Sequence, residues 1–446
     1  MAGREAAHPR LPGRAKAQAP SGHTGWIVAL SAPSITLFET STECLEGHTP
    51  VAVRAIDLGE SPRELQLPLG DSGVPYRQLL ALVRQDGYPL GWTALPVARD
   101  GTVSLEELGP VADFAPDAPP ESTPAHELAT QSLLSVVVAT CANAKSAIRC
   151  VEAIQAAAHG PYEVIVVENR PAHSIVESAL EERFGEDPRI RYVEERRPGL
   201  ACARNAGLRA ARGELVAFTD DDVIVDPSWL PAIRAAFATT AEVDCVTGLI
   251  LPLELETPTQ LLLERFAGYA KGFVPRIYAL GEPPPDQPLF PYTAGYFGSG
   301  TNMAFRTAAL RELGGFDPVL GTGTRARGCE DLDICIRVLN AGSRLAYEPR
   351  AVVWHRHPDT DAHLRRRAFD YSAALGAMLT KHLLLGPHRW TMISRVPQAI
   401  RYYRSPQSRK NATRGPSFPA SITRLERAGL LYGPFAYLAS RLEALR

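Results

Sequence analysis

Residues 133–169, LLSVVVATCANAKSAIRCVEAIQAAAHGPYEVIVVEN, decide the fold. LLSVVVAT is an unbroken run rich in β-branched residues, the composition of a strand buried on both faces. A helical stretch follows from Lys145 to Ala158, and EVIVVEN then repeats the strand pattern. Working outward, a helix is predicted over 174–184 and a third strand at IRYVEE, so strands alternate with helices of one length. That alternation predicts βαβ units and a parallel sheet. In such sheets ligands bind beyond the carboxyl ends of the strands.

Those ends carry Thr140 and Asn143, then Glu168 and Asn169, then Pro198 and Gly199. The fourth end is the most acidic. Within residues 213–230, GELVAFTDDDVIVDPSWL, the strand Leu215–Phe218 runs into Asp220, Asp221 and Asp222. Carboxylates this close raise one another's proton affinity unless a positive charge sits among them. A divalent cation and a solvated turn both account for the triplet taken alone. Asp226 precedes Pro227 and an apolar run, which reads as a helix N-cap with proline at the first helical position. The first strand lacks G-x-G-x-x-G, which argues against hydride transfer with a dinucleotide.

RRPGLACARNAGLRAARGE opens a helix after a Pro-Gly turn and sets Arg204 and Asn205 one turn inside it, where a guanidinium can meet phosphate or simply face solvent. Further on, YTAGYFGSGTNMAFR sets Gly295, Gly298 and Gly300 among aromatics, a loop that can approach a ring-shaped ligand closely. GCEDLDICIRVLNAG then starts a helix with Glu330, Asp331 and Asp333. The first and last of these share a face while Asp331 points elsewhere, so Asp331 can enter a cleft; acids in a first turn also suit the helix dipole. AVVWHRHP ends a strand in His355 and His357, alternate residues on one face.

With 446 residues, 45% hydrophobic and 22% charged, the chain has an ordinary globular composition. Residues 1–25 read as disordered. Residues 26–111 read as a small α+β module, with strand-like VAVRAIDL, QLPL and LGWTALPV, a helical YRQLLALVRQDG and a hairpin-like ARDGTVS. Residues 112–130, rich in Pro and Ala, read as a linker. The main domain spans 131–360, divided at 226, and a basic helical region fills 361–446. That last region holds fifteen Lys or Arg against four Asp or Glu, leaving the remainder thirteen charges negative. Such a basic tail suits an anionic partner, a membrane surface or a phosphorylated acceptor; solvated helix faces are the alternative. Seven scattered cysteines without a C-x-x-C pair argue against a disulfide framework and a structural zinc site, and suit a reducing cytoplasm. No signal peptide and no apolar run long enough to span a bilayer are found.

Taken together these segments resemble the family 2 glycosyltransferases, inverting enzymes with the GT-A fold, a Rossmann-like, mostly parallel α/β sheet flanked by helices. The resemblance covers Leu133 to His357. It places Thr140, Asn143, Glu168, Gly199, Arg204, Asn205 and Asp220 around the nucleotide-sugar. It makes Asp222 and His355 ligands of Mg2+ or Mn2+, with His357 the lesser candidate. Asp331 is implied as the catalytic base, with Glu330 orienting the acceptor or tuning it. Gly298, Gly300, Asn302, Gly315 and Phe316 are implied at the acceptor. The expected reaction moves a sugar from a nucleotide-sugar, UDP-linked by family habit, to a hydroxyl of a glycan or lipid-linked acceptor. No nucleic acid is expected; the basic C-terminal region, outside the resemblance, suits peripheral contact with the inner face of the cell membrane, and equally covering of the acceptor cleft or dimerisation. A nucleotidyltransferase making a nucleotide-sugar would share the sheet and acids but needs a Gly-rich basic loop after the first strand, of which TCANAKSA is a poor version. A non-catalytic carbohydrate-binding relative would not need Asp222, Asp331 and His355 together.

Overall fold

The computed structural model describes residues 49–59, 63–71, 73–108, 132–169, 175–239, 241–293, 295–405, 408, 411 and 418–445. The disordered segment expected at 1–25 and the whole of the linker expected at 112–130 lie outside them.

The strands read from 133–169 form as expected. β6 (Leu134–Thr140), β7 (Tyr162–Glu168) and β8 (Ile190–Glu194) pair in parallel, and β9 (Leu215–Asp220) pairs in parallel with β6 on its other side. The sheet then continues through β13 (Met303–Arg306), β11 (Val243–Pro252), β14 (Arg344–His355) and β10 (Val223–Val225), with β12 (Arg276–Tyr278) on the side of β14. β11 and β14 are parallel; the antiparallel pairings, through β10, β12 and β13, are short.

Both faces are covered. One is packed by α1 (Ala144–Ala156), α2 (Ile175–Phe184) and α4 (Trp229–Thr239), which bring Val151, Leu180 and Trp229 against Val136, Val164 and Ala217. The other takes α3 (Leu200–Ala210) and α7 (Glu330–Asn340), which bring Ala203, Ala206, Ile334 and Val338 against Val137, Ile165 and Phe218. Odd and even residues of β6 thus lie in different cores, which is why its sequence shows no polar alternation. Shorter helices α5 (Pro258–Ala267) and α6 (Thr307–Glu312) join the second half.

The N-terminal module differs from expectation in two elements. Of QLPL (66–69) only Gln66 lies in a strand. Tyr76–Gly87 does not form a helix: Gln78–Gln85 is β3, the middle strand between β1 (Val51–Asp57) and β4 (Tyr88–Pro96). Asp86 and Gly87 both have positive φ, at 51° and 75°, so the two-residue Asp-Gly turn closes a β3–β4 hairpin. Leu79 and Ala81 face the module's own core, whereas Leu80 and Leu82 face Leu255, Leu249, Leu251 and Val352 of the larger sheet. Two buried faces erased the alternation that marks a strand. Two short strands, β2 (Glu64–Gln66) and β5 (Thr102–Ser104), pair beside it. The module is joined to the main sheet by more than apolar contact: Val51 N–H donates to the Leu255 carbonyl and Arg84 pairs with Asp226 at 2.9 Å.

The C-terminal region is helical, as its pattern predicted. α8 (Asp361–Leu385) and α11 (Ala420–Ala444) form a closely packed pair, with α9 (Arg389–Ser394) and α10 (Val396–Arg404) between them in sequence. Among the described residues no helix is long and apolar enough to cross a membrane. The six described cysteines are free.

Candidate active site

Parallel register brings the acids to one rim. Thr140 lies opposite Glu168, and Ala139 opposite Asp220, so the ends of β6, β7 and β9 coincide. Around Asp220–Asp222 the partners divide sharply. Asp220 accepts from Arg204 Nη2 at 3.0 Å and from Thr301 Oγ1 at 2.8 Å. Asp221 accepts from Thr140 Oγ1 at 2.6 Å. Asp222 Oδ1 is buried without a hydrogen-bond partner, and its Oδ2 lies 3.6 Å from His355 Nε2. Burial, reinforced by the neighbouring acids, pushes Asp221 up to about 6 and Asp222 up to about 7. His355 is pushed the other way, well below the usual imidazole range, by burial and then by His357 and Arg367. A bare carboxylate oxygen beside a neutral imidazole suits a divalent cation. Among the described residues no group of three or more His, Cys, Asp or Glu is arranged to hold one; Asp222 and His355 are the pair that meets at this point of the rim.

The helix α7 presents the second set of acids. Glu330 and Asp333 are buried while Asp331 is partly open, as the helical spacing predicted. Asp331 Oδ2 accepts from Gly300 N–H at 2.7 Å and Oδ1 from Leu332 N–H at 2.8 Å. Glu330 accepts from Arg204 Nη1 at 2.6 Å. Burial pushes the Glu330 carboxyl up to about 7, with Arg204 pulling against it. Asp333 is held well below the carboxylate range: burial would raise it, but His382, Lys381 and Arg337 outweigh burial.

Arg204 is the largest departure from the sequence reading. It is 2% exposed and bonded to Asp220, Glu330 and the Gly300 carbonyl, over the Phe316 ring. It ties the two acid clusters together and does not face an open phosphate site. A helix arginine between Ala203 and Asn205 carries no sequence sign of burial. Asn205 is likewise occupied, pairing with both backbone groups of Phe316. Three residues read as acceptor contacts are structural for similar reasons. Phe316 is 1% exposed, stacked edge-on to Phe218 and Phe305. Asn302 is 1% exposed and bonded to Trp229, Leu249 and Ala351. Gly315, at φ 70°, sits so close to Asn205 that a Cβ would come within 2.4 Å of its Oδ1. Gly298 and Gly300 are buried; a Cβ on Gly300 would lie 2.7 Å from Arg204 Nη1, so only glycine lets the loop reach both Arg204 and Asp331.

The remaining expected residues line the rim or shape it. Glu168 is 1% exposed and accepts from Tyr192 Oη at 2.8 Å. Asn143 caps α1 by accepting from Ser146 N–H. Gly199 opens α3 at φ 125°, its amide donating to Asn169. Asp226 accepts from Ser228 N–H, as an N-cap does, and also holds Arg84 and the Trp354 indole.

Several participants had no readable signal. Thr301 holds Asp220, and α8 reaches over the site: Arg367 donates to Tyr269 Oη, which is bonded to Tyr371 Oη at 2.8 Å. The Tyr269 ring lies 5.3 Å from His355 and 5.6 Å from His357. These contacts join residues about a hundred positions apart.

A model of the family described as "Glycosyltransferase like family 2" matches residues 131–370. The pre-mycofactocin glycosyltransferase of Mycobacterium tuberculosis is 29% identical over 185 residues, 41% of this chain and 36% of that protein. This chain therefore spans about a third of that relative's length. The glucosyl-dolichyl phosphate glucuronosyltransferase of Haloferax volcanii is 24% identical over 232 residues, 50% of this chain and 69% of that one. Among solved structures, the mannosyltransferase PcManGT from Pyrobaculum calidifontis, in complex with GDP-Man and Mn2+, superposes with a TM-score of 0.44 at 18% identity, covering 74% of this chain and 91% of that chain.

Proposed function

The chain belongs to glycosyltransferase-like family 2, and from that premise we propose that it moves a sugar, with inversion, from a UDP-linked donor to a hydroxyl of a glycan or lipid-linked acceptor. One observation carries the reading. The open carboxylate of Asp331 is tied through Gly300 and Arg204 to the rim where Asp220–Asp222 gather, so a base and a diphosphate-side acid cluster share one framework.

In this mechanism Asp331 accepts the proton of the acceptor hydroxyl as that oxygen attacks the anomeric carbon. The bond from that carbon to the donor phosphate breaks on the opposite face and the nucleoside diphosphate leaves with its electron pair. Inversion needs no second protein acid. Gly300 N–H and Leu332 N–H orient the Asp331 carboxylate. Asp222 and His355 would hold Mg2+ or Mn2+, which when bound neutralises charge on the departing diphosphate. A carboxylate is a weak base, so positioning supplies much of the rate.

The basic C-terminal region is assigned to the inner, cytoplasmic face of the membrane. Arg366 and Arg424 line a cleft between α8 and α11 with Phe369 and Leu425, beside Arg327 and Arg365, which are paired with Asp370 and Asp361, and Leu431, Phe435, Leu438 and Leu442 stand exposed along α11. Guanidinium groups beside apolar side chains suit anionic headgroups. The transfer itself is tested by incubating the full chain with a panel of nucleotide-sugars and Mn2+. Nucleoside diphosphate released from one donor supports the assignment. Consumption of a nucleoside triphosphate with pyrophosphate release would replace it with nucleotidyl transfer.

A further inference from the structure

Beneath Asp222 runs a chain of buried hydrogen bonds that has a direction. Glu264, on α5, lies 2.9 Å from His357 Nε2. His357 Nδ1 lies 3.3 Å from His355 Nδ1, and His355 Nε2 faces Asp222 at 3.6 Å. The His357 side chain is fully buried and those of Glu264 and His355 are 6% exposed. α5 is fixed at its start by a capping box between Thr257 and Gln260, and Gln260 also donates to the His357 carbonyl, so Glu264 is placed by a helix with a defined register.

A contact between two ring nitrogens needs one proton and one lone pair, and a carboxylate only accepts. Glu264 therefore calls for the proton of a neutral His357 to sit on Nε2, which leaves Nδ1 as an acceptor. His355 must then donate from its own Nδ1. What remains on His355 is an Nε2 lone pair pointing at an Asp222 carboxylate whose other oxygen has no partner. Two electron-rich atoms facing each other at that distance repel unless a cation lies between them. Running the chain the other way, with His355 Nε2–H donating to Asp222, makes it an ordinary buried network.

We propose that Glu264 and His357 are positioning residues that fix His355 as its Nδ1–H tautomer, so that Nε2 is permanently presented to a divalent cation shared with Asp222. The inference rests on the metal-dependent reading above. Carboxylates and their relays behind a metal-bound imidazole commonly set its tautomer, and removing them weakens the metal by about 10–100-fold.

Two measurements on the full chain test it. With 15N-labelled histidine and no metal, two-bond proton–nitrogen correlations read the tautomer of His355 directly, and Nδ1–H is expected. Binding of Mn2+ alone, without donor, is followed by electron paramagnetic resonance. Glu264→Gln keeps the shape but can turn an amide N–H toward His357 Nε2, which reverses the chain. It should move the His355 proton to Nε2 and raise the Mn2+ Kd by about 10–100-fold. Glu264→Asp, which keeps an acceptor, should leave the tautomer as in wild type. A wild type that binds Mn2+ but carries the His355 proton on Nε2 overturns the inference alone, as does unchanged Mn2+ affinity in Glu264→Gln. A wild type with the expected tautomer that binds no Mn2+ sinks the metal-dependent reading instead. If Glu264→Gln fails to fold, the wild-type tautomer decides.

Discussion

Replacing Asp331 by Asn separates chemistry from architecture because the two costs differ and are read by different instruments. The carboxylate uses one oxygen for Gly300 N–H and the other for Leu332 N–H. An amide has one oxygen, so one of those contacts becomes N–H facing N–H, a loss of about 1.5–3 kcal/mol for a bond to a charged group. That is a small part of the ~5–15 kcal/mol that holds a domain folded. The variant should fold, with a slightly lower Tm. Loss of a general base costs about 100- to 10,000-fold in rate, roughly 2.7–5.5 kcal/mol on the barrier. The assay is initial velocity at saturating donor and acceptor, with donor Kd measured separately by calorimetry. The turnover number should fall within that range while donor Kd stays near wild type, since Asp331 bonds neither Asp220 nor Asp222. Transfer within about ten-fold of wild type by a well-folded Asp331→Asn would refute the base assignment. Glu330→Gln is the contrast: Glu330 is buried on Arg204, so its substitution should lower Tm more and kcat less.

Arg204→Met removes the cation between Asp220 and Glu330 and leaves buried carboxylates without it; a loss of about 3–5 kcal/mol is expected by calorimetry, and an unchanged Tm would show that the hub is dispensable. Asp333 has a folded pKa held below its unfolded value of about 3.9, so its contribution is present above that value and is lost as pH falls through the folded one. Asp333→Asn should therefore lower stability at pH 7 and flatten the acid limb of the stability–pH curve, and an acid limb identical to wild type would remove that assignment. Vesicles containing anionic lipid should sediment the protein at low salt and release it at high salt, with Arg366→Glu and Arg424→Glu weakening the association. No binding to anionic vesicles at low salt would remove the membrane from the account.

What could be read from sequence was what local composition enforces. β6 and β7 are legible because each is buried on both faces and so rich in Val and Ile, and the acids at their ends are legible because charge next to such a run is conspicuous. The same rule misled at Tyr76–Gly87, where two buried faces removed the alternation and the closing Asp86-Gly87 turn was the better signal. Residue roles that depend on distant partners were not legible. Asn302, Gly315 and Phe316 lie in glycine-containing stretches that look ligand-facing, yet their contacts with Trp229, Asn205 and Phe218 bind the site's own walls. Glu264 and His357 are 93 positions apart, and neither has a local pattern that pairs it with the other.

The structure also reassigns the three aspartates by what each has left to offer. Asp220 is taken by Arg204 and Thr301 on both oxygens, and Asp221, which the sequence left without a role, is bonded to Thr140 and so ties the ends of β9 and β6. Only Asp222 keeps a buried oxygen with no partner. The positive charges are unevenly shared in the same sense. Arg204 lies fully buried between Asp220 and Glu330, whereas Asp222 feels Arg367 only weakly against burial and its two neighbours. Electrostatic need is thus concentrated at one atom rather than spread over the triplet. The proposed cation would satisfy that need at the point nearest His355, while Arg204 stays paired with Asp220 and Glu330 whether or not a cation is there.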